Sequence, residues 1–441
     1  MIYRNIPHTT RAENTGRFPW LLILLLTAIL FWDSFDLSSS KKWVGDYASS
    51  PDDVSAHMAE DSQVRHFAIV LLGIIAIASL SRLENNFRFH IDKPLGWILL
   101  GFTAWAFVSP AWAVDLPLTL RRLVTFGILC ISSVAVARRL SLRQVIVWTF
   151  SSTAIVLFIG ILAEVFVGTF RPFSAGYRFA GTLDPNSEGV QCGLLLLSAV
   201  AAADKERRWR GFFWASALFG FAFLILSGSR TALAATLLAS GVYFVAVFPR
   251  RATIVMAFSL SIIGCFFLLS LGDGFHQWFR SASLIGRNNP SDLDSFTGRT
   301  VIWENVYYYI RQHPLLGWGY GGFWTPAHSL EMSAQIKSGV ANSHSTYIDC
   351  FLTLGAVGLF AYTALLFAGI WRALCLYRRL LNSVFAFCCA LLAFCVLEGA
   401  LESYNLAGSI QLFLCMVVLV RLAFVFQHQP RLEFKPTSVS T

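Results

Sequence analysis

Four polar segments in an otherwise apolar chain carry residue types that can do chemistry. The first is His344, followed by Ser345, nine residues, and then Gly355-Ala356-Val357-Gly358. An imidazole is the side chain that changes charge near neutral pH and most often serves as a general base. Placed where a polar stretch re-enters an apolar helix, it can take a proton at a membrane surface. The other three segments each present an arginine. Arg178 lies in Tyr177-Arg178-Phe179-Ala180-Gly181, shortly before Asp184-Pro185-Asn186; Arg230 closes Ser227-Gly228-Ser229-Arg230; Arg299 follows Gly298. A guanidinium is permanently charged and meets carboxylate or phosphate oxygens with a rigid fork. Each residue also has a plainer reading. An interfacial histidine can snorkel, loop arginines can be ordinary charges, and an arginine at a helix end can pair with lipid phosphate.

The elements that must position these groups are membrane helices. The chain has 441 residues, 56% hydrophobic and 13% charged, whereas soluble domains carry about 25% charged residues. Apolar runs long enough to cross a bilayer recur at about 18–37, 67–80, 94–108, 117–137, 145–168, 186–203, 212–228, 231–248, 253–272, 346–371, 383–401 and 410–427. The expected fold is therefore an all-α polytopic membrane protein with twelve spans, one integral domain over 1–441. Tryptophans such as Trp20, Trp43, Trp112, Trp209 and Trp371 at the run ends suit interfacial belts.

The formal charge of +9 does not point to nucleic acid. The basic residues form short clusters between runs, as in Arg138/Arg139/Arg143 and Lys205/Arg207/Arg208/Arg210, which is the positive-inside pattern. That asymmetry predicts both termini on the cytoplasmic side of the membrane, with a short polar tail at 428–441. Outer loops then fall at about 38–66, 109–116, 169–185, 229–230, 273–345 and 402–409. All four chemically interesting segments face outward. The cysteines lie in or beside apolar runs and offer no disulfide or metal framework.

The 273–345 loop is the one sizeable extramembrane piece, and a loop of that length is usually functional. Within it Arg299–Gln312 reads as an amphipathic helix with Ile302, Val306, Tyr309 and Ile310 on one face, stopped by Pro314. His313 is expected to stabilise its C-terminus. The glycine-dense stretch Gly317-Trp318-Gly319-Tyr320-Gly321-Gly322 fits the spacing of a dinucleotide fingerprint, but no strand is expected before it and Trp324-Thr325-Pro326 follows. Close backbone approach is the better reading. Asp292-Leu293-Asp294 reads as a solvated loop rather than a metal motif. Glu164 is intramembrane, and Glu398 and Glu402 fall four apart on one apparent helix face; the sequence assigns them no role.

The blocks RFAGTLDPN, SGSRTALAATLLA, GRTVIWENVYYYIRQHPLLGWGYGGF and HSTYIDCFLTLGAVGLFAY, taken in order, resemble the O-antigen ligase/polymerase superfamily. The last fits the family's His-(Asn/Ser/Gln)-x9-Gly-x-x-Gly pattern at His344, Ser345, Gly355 and Gly358. Ser345 stands where Asn is usual, and Leu359 where Thr or Tyr is common. The resemblance implies a metal-independent, inverting glycosyltransferase needing no cofactor, which moves a glycan from undecaprenyl pyrophosphate to an acceptor hydroxyl on the periplasmic face. It implies His344 as general base, with Arg178 and Arg299, then Arg230, stabilising the pyrophosphate; Gly355 and Gly358 read as packing positions. The implied partners are the carrier-linked glycan, an acceptor glycan or glycolipid, membrane lipids and a chain-length regulator. The choice between polymerase and ligase leans slightly to polymerase. The rival class is a transporter or flippase of lipid-linked glycans or solutes, which would place its polar groups near the bilayer midplane.

Overall fold

A computed structural model of the chain describes residues 63–81, 87–91, 94–174, 177–247, 295–336, 340–403 and 409–428. The expected runs at 18–37 and 253–272, Asp292-Leu293-Asp294 and the tail beyond 428 lie outside the described residues. Ten helices account for the other ten runs: α1 (Gln63–Ser81), α2 (Leu95–Val108), α3 (Leu116–Arg139), α4 (Leu142–Val167), α5 (Pro185–Lys205), α6 (Arg210–Leu226), α7 (Arg230–Val247), α10 (Thr346–Leu380), α11 (Ser383–Leu401) and α12 (Ile410–Ala423). Among the described residues, six helical stretches are long and apolar enough to cross a membrane: α3, α4, Arg207–Leu226, α7, α10 and α11. Two more helices, α8 (Ser295–Ile310) and α9 (Pro326–Ile336), belong to the long loop.

The chain is not purely helical. Residues 87–91 and 424–428 pair as antiparallel strands β1 and β2, with Phe89 opposite Phe426. The last apolar run therefore ends its helix at Ala423 and finishes extended. Phe87, Phe89 and Ile91 alternate with polar residues in β1, and Phe424-Val425-Phe426 of β2 is aromatic and β-branched; both suit strands, which is why continuing the helix to 427 was the wrong extrapolation.

Helix α5 occupies the centre. It is buried along nearly its whole length and packs against α4, α6, α7 and α11. Lipid tails are as apolar as leucine, so helices associate in membranes through close packing of small residues. Here a Cβ on Gly193 would sit 2.3 Å from Thr236 Oγ1, and one on Gly189 would sit 2.7 Å from Ser229 Cβ. The start of α5 is fixed by Asp184, whose Oδ1 accepts from the backbone N–H of Asn186 (2.9 Å) and Ser187 (3.1 Å), with Pro185 at the first helical position.

The loop helix forms as expected but begins four residues early, at Ser295. It buries Ile302, Val306 and Ile310 against Trp318, Phe323 and Met332. The His313 N–H donates to Ile310 O (3.2 Å), closing the last turn. Helix α9 after Pro326 is a correction: a helix does follow the glycine-dense turn, although a helix rather than a strand precedes it.

That turn is a clasp between the loop and the membrane helices. Gly355 breaks α10 with φ 69° and ψ −172°, which frees backbone groups that a continuous helix would pair. Three of them find partners on other segments. Trp318 N–H donates to Leu352 O (3.0 Å), Trp105 Nε1 to Leu354 O (3.0 Å), and Ala356 N–H to Pro314 O (2.9 Å). A Cβ on Gly355 would lie 2.1 Å from Leu315 O, so the strand-like crossing of chain over helix requires glycine there. On the other side Arg122 of α3 donates to the carbonyls of Gly321 and Trp324.

Candidate active site

The four polar segments of the sequence meet at the end of the bundle that carries α8 and α9. Arg178 sits in an extended segment held by fixed donors and acceptors. Glu164, buried near the end of α4, accepts the N–H groups of Ala180 and Gly181 on Oε1 (2.9 Å each) and the Tyr177 hydroxyl on Oε2 (2.5 Å). Burial raises the pKa of that hydroxyl, and the hydrogen bond to Glu164 adds to the effect, so it stays a donor. Phe179 N–H donates to Leu226 O (2.8 Å) and its ring is fully buried. With both neighbours pinned, Arg178 Nε donates to Ser227 O (3.0 Å) and Nη2 to Asn186 Oδ1 (2.9 Å). Gly228, at φ 63°, lets the turn approach: a Cβ there would be 3.0 Å from Arg178 Nε. Arg230 is the first residue of α7, directly after this turn.

Asn186 passes the network on. Its Nδ2 donates to Glu402 Oε1 (3.1 Å), the same oxygen that takes Arg299 Nη2 at 2.7 Å. The other oxygen of Glu402 lies 3.4 Å from His344 Nδ1. Arg178, Arg299 and His344 are thus gathered around one carboxylate. Glu402 is 4% exposed and Arg299 15%, while His344 keeps 37% of its side chain open to a reactant.

The position of Glu402 corrects the expected helix face shared with Glu398. Helix α11 stops at Leu401, and Glu402 is its extended C-cap (φ −144°, ψ 151°), its N–H on Glu398 O at 2.9 Å. The side chain therefore turns toward α8 and α10 instead of following the α11 face. Its own carbonyl accepts both the N–H (3.1 Å) and the hydroxyl (2.8 Å) of Thr346, which ties the end of α11 to the start of α10.

His344 has φ 52°, a left-handed conformation uncommon for a non-glycine residue. The surroundings impose it. Its N–H donates to Asn342 Oδ1 (2.9 Å), Ser345 N–H donates to Ser343 Oγ (3.2 Å), and Ser343 N–H donates to Asp349 Oδ1 (3.2 Å), which also takes Trp324 Nε1 (2.9 Å). Trp303, one turn after Arg299 in α8, donates its indole N–H to Ser343 O at 2.8 Å. Local strain held by surrounding structure is a mark of functional sites.

Chemically, the arrangement offers a proton acceptor beside a carboxylate and two forked cations within one network. A carboxylate next to Nδ1 favours the proton on that nitrogen and leaves Nε2 as the acceptor. Glu402 and Asn186 were not recognised as parts of the site from the sequence; the one available signal was a glutamate at the boundary of an apolar run.

The family model described as O-Antigen ligase matches residues 215–363. That stretch runs from α6 into α10 and contains Arg230, Arg299 and His344. The chain resembles the O-antigen ligase/polymerase superfamily. The "Exopolysaccharide production protein ExoQ" of Rhizobium meliloti (strain 1021) is 23% identical over 346 residues, covering 75% of each chain. Arg178 and Glu402, which complete the network, lie outside the matched 215–363 stretch. Together these findings support a multi-pass membrane enzyme of polysaccharide assembly.

Proposed function

We propose that this protein is a glycosyltransferase of the bacterial inner membrane that moves a glycan from undecaprenyl pyrophosphate to an acceptor hydroxyl on the periplasmic side, with inversion at the anomeric carbon and without a metal. The observation that carries the reading is Glu402, which gathers His344, Arg299 and, through Asn186, Arg178. The acceptor hydroxyl gives its proton to His344 Nε2 as its oxygen forms the new bond to the anomeric carbon. The bond from that carbon to the pyrophosphate oxygen breaks, and its electron pair leaves with the pyrophosphate. Arg178 and Arg299 receive that negative charge, and Arg230, at the head of α7, is the third contributor. Preorganised charge of this kind is often the largest single contribution to catalysis. With the twelve spans and cytoplasmic termini expected from the apolar runs and the charge asymmetry, the network faces the periplasm.

Polymer extension is the favoured form of the reaction, because the relative named above is an exopolysaccharide production protein. Its partners are the carrier-linked repeat as donor, a second glycan or glycolipid as acceptor, and a chain-length regulator. The test is reconstitution in proteoliposomes with undecaprenyl-pyrophosphate-linked repeat units, with and without lipid A core. Chain lengthening without core is expected. A single transfer to core would make it a ligase. Movement of the substrate across the bilayer with no new glycosidic bond, unaffected by His344→Ala, would replace the enzyme with a transporter.

A further inference from the structure

The Glu402 network has an imbalance that bears on how the site switches on. One carboxylate serves several cationic or donor groups, and its two oxygens are unequally engaged. Oε1 takes Arg299 Nη2 at 2.7 Å and Asn186 Nδ2 at 3.1 Å. Oε2 stands 3.4 Å from His344 Nδ1, beyond the usual 2.7–3.2 Å of a good N–H···O bond. The carboxylate is drawn to the arginine side and held off the imidazole. Its backbone is fixed at the α11–α10 junction by Thr346, while among the described residues its side chain is held by other side chains alone, so it can pivot without disturbing a helix.

We propose that Glu402 is a resident stand-in for the donor's pyrophosphate, occupying Arg299 until the donor arrives and then turning to His344. The inference rests on the glycosyltransferase reading. Two anions cannot share one guanidinium edge in a nearly dry site without strong repulsion. An arriving pyrophosphate therefore takes Arg299 and, through the Arg178–Asn186 arm, loosens the second hold on Oε1. Glu402 then has His344 Nδ1 as its remaining close partner. A full Nδ1–H···Oε2 bond fixes the tautomer with Nε2 free to receive the acceptor's proton. Donor binding thus completes the base, and acceptor attack follows donor entry. Without donor, the base is poorly held and Arg299 is paired with Glu402. Glu402 is a positioning residue here, since it touches neither sugar nor anomeric carbon.

This arrangement predicts effects of opposite sign on binding and turnover in one substitution. Glu402→Gln keeps the shape of the side chain but removes the charge that competes for Arg299. Inorganic pyrophosphate, titrated calorimetrically into the purified full-length protein, should bind E402Q roughly tenfold more tightly than wild type, in the range of coupling found for close charge pairs. Turnover of the carrier-linked repeat at saturating donor should fall by about 10²-fold, because the base loses its orienting partner. Glu402→Asp retracts the charge by one methylene and should shift both quantities in the same directions by less, which keeps the test open if E402Q is poorly produced. Arg299→Ala is the control. Pyrophosphate binding that is lost in R299A but not tightened in E402Q or E402D overturns the stand-in role and leaves the glycosyltransferase reading in place. Wild-type binding that R299A leaves unchanged, or no binding at all, removes the pyrophosphate site itself and with it both proposals. Turnover lost with pyrophosphate affinity unchanged makes Glu402 a simple orienting group, and affinity weakened makes it a structural support.

Discussion

Glu164 and Glu402 are both nearly buried carboxylates at the same end of the bundle, and they do different work. Glu164 is held by two backbone N–H groups at 2.9 Å and a tyrosine hydroxyl at 2.5 Å. All three donors are fixed by the segment it braces, so the glutamate is a strut that holds Arg178 in place. Glu402 is held by an arginine, an asparagine and, loosely, a histidine. Every partner is a side chain with chemistry of its own. A buried charge must be paired, but what pairs it decides whether it is scaffold or machinery: backbone donors cannot be exchanged for a substrate, whereas side-chain donors can.

The largest effect expected within this contrast is at His344, on the Glu402 side. His344→Ala should reduce turnover in proteoliposomes by about 10²–10⁴-fold, the range of general-base catalysis. His344→Gly should be equally inactive yet at least as stable in thermal unfolding, because glycine adopts φ 52° without the strain the imidazole bears. Activity surviving in either variant would move the base elsewhere.

Arg299→Ala should follow, with a loss of roughly 10²–10³-fold in turnover, comparable to removing one preorganised stabilising group. Arg299→Lys should recover only part of it, since an ammonium lacks the planar fork. Full recovery by lysine would show that charge alone is needed.

On the Glu164 side the loss should appear first as stability. Glu164→Ala leaves two amides and a hydroxyl without their acceptor, costing about 3 kcal/mol, and should lower the unfolding midpoint in detergent. Glu402→Gln should shift that midpoint much less while reducing turnover more. If both glutamates changed stability alike, the division between strut and machinery would fail.

The smallest effects concern the clasp that sets α8 over the site. Gly355→Ala meets Leu315 O at 2.1 Å in a φ 69° backbone and should destabilise by about 1–3 kcal/mol. Gly321→Ala meets the Arg122 side chain at 2.4 Å, which can move aside, and should cost less, about 1 kcal/mol. The order of the two midpoints checks that backbone, not side chain, is the rigid wall.

Much of this was readable in the chain. Ten apolar runs became ten helices, the loop helix kept its expected buried face, and His344, Gly355 and the arginine segments announced themselves by residue type and spacing. These features depend on neighbours within a turn or two, so a local pattern determines them. The errors were local patterns extended too far: residues 424–427 were read as more helix and Glu402 as sharing the α11 face with Glu398, because hydropathy does not mark where a helix ends.

What only the tertiary structure decided is which of these groups meet. Asn186 and Glu402 are 216 residues apart in sequence, Arg299 and Glu402 103, His344 and Glu402 58. No periodicity spans such distances. Their meeting depends on α5 threading the bundle centre, on the break at Gly355 that admits the glycine clasp, and on α11 ending one residue before its glutamate. The sequence by itself determined the membrane character, the helices and the reactive side chains; the packing of those helices determined that the imidazole and the guanidinium groups share one carboxylate.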